Sequence, residues 1–147
     1  MTPLSIKQLR SPCQRFEARL SPTAGSFWDV SHASLALQDL SFGTRIFGWH
    51  GAWSPCSRYF AITEWLGVDT AHDPDMQLLV IDVQERRECV VEHVTCGFIA
   101  PMYIHDDAIK YNKIAKGMEE RAVLHRRIGE LDGWRPLTGS SPDLGKA

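Results

Sequence analysis

The sequence lacks the segments that would place it in a membrane, a secretory pathway or a nucleic-acid complex. No stretch approaches the ~20 consecutive apolar residues that a membrane-spanning helix needs. The amino terminus has no continuous apolar run of the kind that a secretory signal requires. The formal net charge is only -2, whereas nucleic-acid-binding domains carry a strongly basic face. We therefore expect a cytoplasmic protein that binds neither membrane nor nucleic acid.

Motifs for catalysis are also missing. The chain contains no GxSxG nucleophile elbow, no glycine-rich phosphate loop and no HExxH helix. A Cys–His hydrolase would have to pair Cys56 with His50 or His105, and nucleophile and base must lie within hydrogen-bond reach. The sequence indicates no such pair. We therefore expect no enzymatic activity, no catalytic residues and no cofactor.

Cysteine is scarce. The four cysteines are Cys13, Cys56, Cys89 and Cys96. In a cytoplasmic protein we expect them to be reduced thiols rather than a disulfide framework.

A zinc site is the alternative use of two of these thiols. Cys89, His93, Cys96 and His105 have the right residue types. Their spacing matches no compact CxxC knuckle, and Cys89 and His93 are expected on one face of a strand. Core or surface positions are favoured, so we predict no metal site. A small metal- or thiol-dependent enzyme that uses these residues with Asp106 and Asp107 remains an alternative.

The pattern that is present indicates antiparallel β structure. Three runs, at 58–66, 76–83 and 88–94, are predicted to be strands, in which successive side chains point to opposite faces. The first two are apolar on both faces, which suits strands that are covered on both sides. Ser54-Pro55 predicts a turn before the first run, and short polar segments join the three. Sequential strands of this kind form a β-meander.

This stretch resembles a known repeat unit. Trp53-Ser54-Pro55, two turn residues and Arg58-Tyr59, followed by Leu78-Leu79-Val80-Ile81-Asp82 and a charged turn, resemble one blade of a TolB or WD40-like β-propeller. A weaker likeness follows at 100–111, with Asp106-Asp107 at the turn. A propeller needs at least four four-stranded blades, and 147 residues do not supply them. The resemblance therefore implies blade-like sheets in an incomplete, propeller-like or sandwich-like arrangement.

The remaining segments extend the same fold. Alternation predicts strands at 15–20 and 33–40, and at 97–104 and 108–114 with a hinge at 105–107. The segment 44–49 brings the chain to the central sheet, and glycines at 43, 48 and 51 allow bends or bulges. A helix is a weaker alternative at 33–40. The segment 117–128 fits a helix or a strand, and its neighbours favour a strand. We predict a mainly β, antiparallel domain with little helix at 1–136, and a flexible Gly/Ser/Pro-rich tail at 137–147.

An acidic loop between the first two central strands is the first candidate for partner binding. It carries Asp69, His72, Asp73 and Asp75 but lacks the glycine and terminal glutamate of an EF-hand. A solvated loop is the simpler interpretation. Its functional interpretation is a finger that meets a basic site on a protein partner. Trp28 and Trp49, in loop-like or glycine-flanked positions, are candidate interface anchors.

The function that fits these features is non-enzymatic protein binding. A small β domain with an acidic loop and exposed aromatic residues resembles, in size and general character, the immunity proteins of bacterial toxin systems. That likeness implies one specific protein partner, a toxin, which the chain would neutralise by covering its active site or blocking its assembly. The alternative is a structural subunit that forms a homodimer through its sheet edges.

Overall fold

The computed structural model describes residues 6–23, 32–38, 40–66 and 74–138. No helix within these ranges is long and apolar enough to cross a membrane. A single 3₁₀ turn spans Ile128–Glu130. The strands are β1 (Lys7–Arg10), β2 (Glu17–Pro22), β3 (Ala33–Leu37), β4 (Leu40–Ser41), β5 (Ile46–Trp53), β6 (Tyr59–Trp65), β7 (Met76–Asp82), β8 (Arg87–Val94), β9 (Gly97–His105), β10 (Ala108–Ala115), β11 (Ala122–Arg127) and β12 (Arg135–Pro136). The predicted mainly β, antiparallel fold is confirmed.

Strands β5 to β8 form the central meander, and each is hydrogen-bonded to the next in sequence. Every residue of β7 is buried, and β6 is buried at all but its two ends. A strand can bury both of its faces only where layers pack on both sides of it. The two-sided apolar pattern of 58–66 and 76–83 therefore predicted the centre of the fold correctly.

One layer over the meander comes from the amino-terminal strands. The larger sheet has the order β1-β2-β3-β5-β6-β7-β8-β12, with β4 paired to β3. Within it, β2 and β3 bury Leu20 and Leu37 against Phe60 of β6 and Leu79 of β7. The sheet therefore folds over one face of its own centre. Trp53 Nε1 donates to the Leu9 carbonyl at 2.9 Å and ties β1 to β5.

The second layer is a separate three-stranded sheet with the order β11-β10-β9. Its inner face places Ile99, Ile104, Ile109 and Tyr111 against the opposite face of β6, β7 and β8, which contributes Leu78 among other apolar residues. The central strands are therefore enclosed between two cores, and the described chain forms three layers of sheet.

The ambiguous segments form strands, with shifted ends. The run at 33–40 is β3, with Leu35 and Leu37 buried on one side as expected. The segment at 117–128 is strand from Ala122 onward, because Lys116 and Gly117 form a turn first. The hinge at 105–107 is a tight turn in which Asp106 and Asp107 both have positive φ.

The first two residues of the predicted tail, Leu137 and Thr138, lie within the described residues and contact the rest of the chain. The Leu137 N–H donates to the Arg86 carbonyl at 3.1 Å, and the Leu137 side chain packs against the core beneath β2 and β3. The Thr138 carbonyl accepts a hydrogen bond from Arg45 Nη1 at 3.1 Å. The rest of the predicted tail, 139–147, lies outside the described residues.

A bulge in β5 depends on a glycine that has no room for a side chain. The register between β5 and β6 shifts between Phe47 and Gly51. A Cβ at Gly51 would lie 2.3 Å from Phe60 Cζ, whereas a Cβ at Gly48 would meet nothing closer than 3.6 Å. Phe60 is fully buried and packs 4.8 Å from the Trp53 ring, so its ring cannot move aside easily.

We predict that Gly51→Ala lowers the free energy of unfolding by about 1–3 kcal/mol, because the added methyl group overpacks the core at Phe60. The matched control is Gly48→Ala in the same strand, where a methyl group fits. Urea denaturation of both variants measures the difference. Equal stability of the two variants would contradict the packing described for Phe60.

Candidate interaction surface

The most concentrated group of buried charges surrounds Arg45. Its guanidinium donates to both carboxylate oxygens of Glu64 and of Glu88, over 2.8–3.0 Å, and to the Thr138 carbonyl at 3.1 Å. These five bonds use all five N–H donors of an arginine. Gln77 Nε2 donates to Glu64 at 2.9 Å. We call Arg45, Glu64, Gln77 and Glu88 the Arg45 ion cluster.

This cluster is closed to solvent. The side chains of Arg45, Glu64 and Glu88 are 2%, 1% and 0% exposed. Burial alone would lower the pKa of Arg45, but its hydrogen bonds to Glu64 and Glu88 and their charges raise that pKa above its ordinary value. A permanently charged, fully bonded group without solvent access has the features of a structural clamp. It joins the segment before β5 to β6, β8 and the carboxyl-terminal Thr138.

We predict that Arg45→Ala lowers the free energy of unfolding by about 3–5 kcal/mol, because it leaves Glu64 buried without its cation and leaves Glu88 dependent on Arg135, whose Nε lies 3.5 Å away. Arg19→Ala, which removes a surface pair with Glu17, should change stability by less than about 1 kcal/mol. Denaturant unfolding of both variants at neutral pH is the measurement. A loss of under about 1 kcal/mol for Arg45→Ala would contradict a stabilising role for the Arg45 ion cluster.

A second ionic group holds the turn between β7 and β8. Asp82 is fully buried and accepts from Arg58 Nε at 3.1 Å and Nη2 at 2.9 Å, and from Arg87 Nε at 3.2 Å. The backbone N–H groups of Gln84 and Glu85 also donate to it, both at 3.1 Å. Burial disfavours the charged carboxylate, but the hydrogen bonds outweigh burial and lower the pKa of Asp82.

This lowered pKa predicts a pH dependence of stability. A carboxylate whose pKa is depressed on folding stabilises the native state above the ordinary value, here 3.8, and that contribution is lost as the pH falls through the folded-state pKa. Asp82→Asn should therefore lower stability by about 1–3 kcal/mol at pH 7, and the gap to wild type should close in acid. The exposed Asp106→Asn is the control. A gap that persists unchanged at low pH would contradict the assignment.

Two turns of the chain are built alike. Ser-Pro-Cys-X-Arg-aromatic-X-Ala occurs at 11–18 and again at 54–61. In each turn the serine Oγ accepts from the aromatic residue's N–H, at 3.1 Å from Phe16 and 3.0 Å from Tyr59. Gln14 and Ser57 both have a φ near 65°. The two turns meet where the Cys13 N–H donates to Ser57 Oγ at 2.8 Å.

Cys13 differs from the other thiols in its surroundings. It is exposed, and hydrogen bonds from the Ser57 and Ser11 side chains and from the Arg15 backbone lower its pKa to about 7. Cys13 was expected to be a reduced thiol, but it was not distinguished from the other three cysteines. The repeated Ser-Pro-Cys turn is the signal that would have drawn attention to it.

The residues considered for zinc are separated by the fold. Cys89 is buried and its Sγ donates to the Asp132 carbonyl at 2.8 Å, and burial raises its pKa. His93 is exposed, because a register shift between β7 and β8 at Leu78 and Leu79 places it on the opposite face from Cys89. The expectation that the two share a face is therefore wrong. The described ranges contain no group of three or more residues that could hold a metal ion.

Only part of the predicted partner-binding set lies within the described residues. Asp75 Oδ1 accepts from the Cys96 N–H at 2.9 Å, which fixes the turn between β8 and β9. Trp49 is half-buried against the core beneath β2 and β3, and its carbonyl accepts from Lys7 Nζ at 3.0 Å. Both residues are thus engaged within the chain. Trp28, Asp69, His72 and Asp73 lie outside the described residues.

A different surface emerges from the registers of the small sheet. Opposed residues of antiparallel strands share a face, and the inner face is identified by its buried isoleucines. The other positions form what we call the outer face. They are Phe98, Ala100, Tyr103 and His105 on β9, Ala108, Lys110, Asn112 and Ile114 on β10, and Val123, His125 and Arg127 on β11.

The outer face is unusually apolar for an exposed surface. Phe98 is 41% exposed, Tyr103 47% and Val123 52%, and Met102, the extra residue at the register shift of β9, is 44% exposed. Elsewhere in the described chain, Ile6 is the remaining large apolar side chain that is exposed to this degree. Asn112 and Lys110 of β10 lie between Val123 and the two aromatic residues of β9, so these apolar side chains are interspersed with polar ones. Aromatic residues and methionine are enriched in protein interfaces.

The charge of the outer face has one sign. Lys110 and Arg127 are basic, Lys110 Nζ lies 5.3 Å from the centre of the Tyr103 ring, and no position on the face is Asp or Glu. Acidic residues lie only beyond the strand ends, where Asp106 contacts His105 at 3.1 Å. The face therefore complements a surface that combines apolar groups with carboxylates.

The outer surface of the amino-terminal layer, at the opposite end of the stack of sheets, is mostly polar rather than apolar. The outward positions of β1, β2 and β3 include Gln8, Arg10, Glu17, Arg19 and Ser34. Glu17 pairs with Arg10 at 3.5 Å and with Arg19 at 3.2 Å. These outward positions are mostly polar and carry charges of both signs, which suits contact with water. Of the two outer layers, the small sheet alone presents an apolar surface within the described residues.

Comparison with known proteins identifies no relative: no protein-family model, no curated protein and no solved structure matches the chain.

Proposed function

We propose that the protein is a non-enzymatic binding module, active in the cytoplasm, that docks one specific protein partner on the outer face of β9, β10 and β11. The observation that carries this proposal is the concentration of exposed Phe98, Met102, Tyr103 and Val123 on that one sheet. Aromatic side chains, together with arginine, dominate the binding energy of protein interfaces.

The residues packed beneath the outer face hold it in a conformation that can bind without rearrangement. Beneath it, Ile99, Ile104, Ile109 and Tyr111 are locked in the core, and Tyr111 Oη donates to Glu92 at 2.6 Å. Burial and this bond raise the pKa of Tyr111 to about 12, so it remains a donor at physiological pH. A surface that is rigid before binding loses little conformational entropy on association.

The finer proposal is that the partner is a bacterial toxin and that the chain is its immunity protein. It rests on size and general character, namely a small rigid β domain with a single-signed apolar face, and it is therefore an analogy. A folded inhibitor of this kind would cover an active site with the outer face. The acidic loop with Asp69, His72, Asp73 and Asp75 stays a second predicted contact.

We predict that the double variant Phe98→Ser/Tyr103→Ser keeps its fold and loses its partner. Truncation of aromatic anchors at an interface costs about 2 kcal/mol or more each, which should weaken capture by more than about tenfold. The experiment is affinity capture of the tagged chain from its native host, with the bound protein identified by mass spectrometry. The double variant Gln8→Ser/Arg19→Ser, on the opposite end of the stack, is the matched control and should capture as wild type does.

The activity of the captured partner then tests the proposal that the chain is an immunity protein. The partner is assayed alone, with wild type and with the Phe98→Ser/Tyr103→Ser variant. Inhibition by wild type and by the control variant, but not by the face variant, supports an inhibitor. A partner that is bound equally by all variants would exclude the outer face, and a partner whose activity is unaffected would exclude inhibition.

A further inference from the structure

Strand β11 is the edge of the small sheet. Its residues pair with β10 from Ala108↔Arg127 to Lys113↔Ala122, and no strand within the described ranges pairs with its other side. Along that side the backbone N–H and C=O groups form a template for one more strand. At the other edge of the sheet, the Thr63 Oγ1 of β6 donates to the Ile99 carbonyl of β9 at 2.7 Å, so that edge lies against the central meander.

Basic residues flank this edge on both faces. Arg127 and His125 lie on the outer face with Val123, and Arg126 lies on the inner side, where its Nη1 donates to the Val91 carbonyl of β8 at 3.2 Å. Arg121, just before the strand, donates to Asn112 Oδ1 at 2.8 Å. No acidic residue occurs between Arg121 and Arg127. Glu119 and Glu120 lie in the preceding turn.

We propose that β11 is a strand-addition edge that takes an extended acidic segment of the partner protein. This inference rests on the proposed function, because it names the chemistry of the partner and its mode of attachment. Main-chain hydrogen bonds to an edge supply affinity, and alternate side chains supply selectivity. An added strand places its outer side chains beside Val123, His125 and Arg127, about 5 Å away.

The charges of the edge select among the possible occupants. A second copy of β11, paired antiparallel about His125, would place Arg127 opposite Val123 and Arg126 opposite Leu124, and the strand supplies no carboxylate to pair with these arginines. An extended segment with glutamate or aspartate at alternate positions would instead form ion pairs along the strand while its apolar residues cover Val123. The edge therefore fits an acidic partner segment better than a second copy.

The test uses the full-length protein and three short synthetic peptides with blocked ends. The first alternates glutamate and valine, the second alternates lysine and valine, and the third is the first peptide with alternate backbone nitrogens methylated. Titration calorimetry measures affinity, and amide hydrogen exchange locates the site. We expect the acidic peptide to bind and to slow exchange within 122–127. The lysine and methylated peptides should bind at least about tenfold more weakly, the scale expected for losing rim charge pairs or edge hydrogen bonds.

Charge reversal on the protein provides the matched pair of variants. Arg127→Glu should weaken the acidic peptide roughly tenfold and improve binding of the lysine peptide. Lys116→Glu makes the same change of net charge in an exposed turn and should leave both affinities unchanged. Circular dichroism and unfolding curves confirm that both variants remain folded.

Each contrary result overturns a stated part of the inference. No binding of the acidic peptide at millimolar concentration refutes the edge as an acceptor, and equal binding of the lysine peptide refutes its selectivity. Equal binding of the methylated peptide refutes strand addition. None of these outcomes bears on binding at the outer face. A captured partner that is lost with Phe98→Ser/Tyr103→Ser but retained by Arg127→Glu would support the proposed function and refute strand addition at β11.

Discussion

The fold depends on one buried guanidinium. Arg45 satisfies all five of its N–H donors with Glu64, Glu88 and the Thr138 carbonyl, and its charge lies over the rings of Phe42 and Phe47, at 5.5 and 5.4 Å. Hydrophobic burial is non-directional, so apolar contacts alone would allow the layers to slide. The fixed fork geometry of the Arg45 guanidinium ties β6 and β8, through Glu64 and Glu88, to the backbone at Thr138. Loss of one partner of a buried ion pair leaves an uncompensated buried charge, so each member of the cluster depends on the others.

Because the central strands are buried on both sides, the two outer layers determine the character of the protein surface. The layer of β1, β2 and β3 presents mostly polar side chains to water, with charges of both signs. The layer of β9, β10 and β11 uses one face to complete the core, and its other face carries Phe98, Tyr103 and Val123 in the open. Its free edge is lined by Arg126 and Arg127. Exposed apolar side chains, positive charge and, within the described residues, a strand with no partner on its outer side therefore coincide on one sheet, and together they support the proposal of an acidic protein partner.

The sequence predicted the elements well, because alternation directly reports which side chains face a core. Strands β6, β7 and β8 of the meander, and β2, β3, β9 and β10, overlap the runs predicted for them, whereas β1 at Lys7–Arg10 was not predicted. The site was predicted poorly. Period-two reasoning assumes a continuous pleat, and one extra residue in β8 moved His93 to the other face from Cys89. Contacts between residues distant in sequence could not be predicted either. Glu64, Gln77 and Glu88 are polar residues within apolar strands, which indicates burial. Nothing in the sequence identified Arg45 as their common partner.

The central claim is that the small sheet is the binding surface, and amide hydrogen exchange of the chain with and without its captured partner tests it most directly. Exchange reports protection strand by strand. Our account predicts slower exchange on binding at Gly97–His105 and Ala108–Ala115, and at Ala122–Arg127, with Lys7–Arg10 and Glu17–Pro22 unchanged. Protection confined to the amino-terminal strands, with none on β9, β10 or β11, would contradict the account.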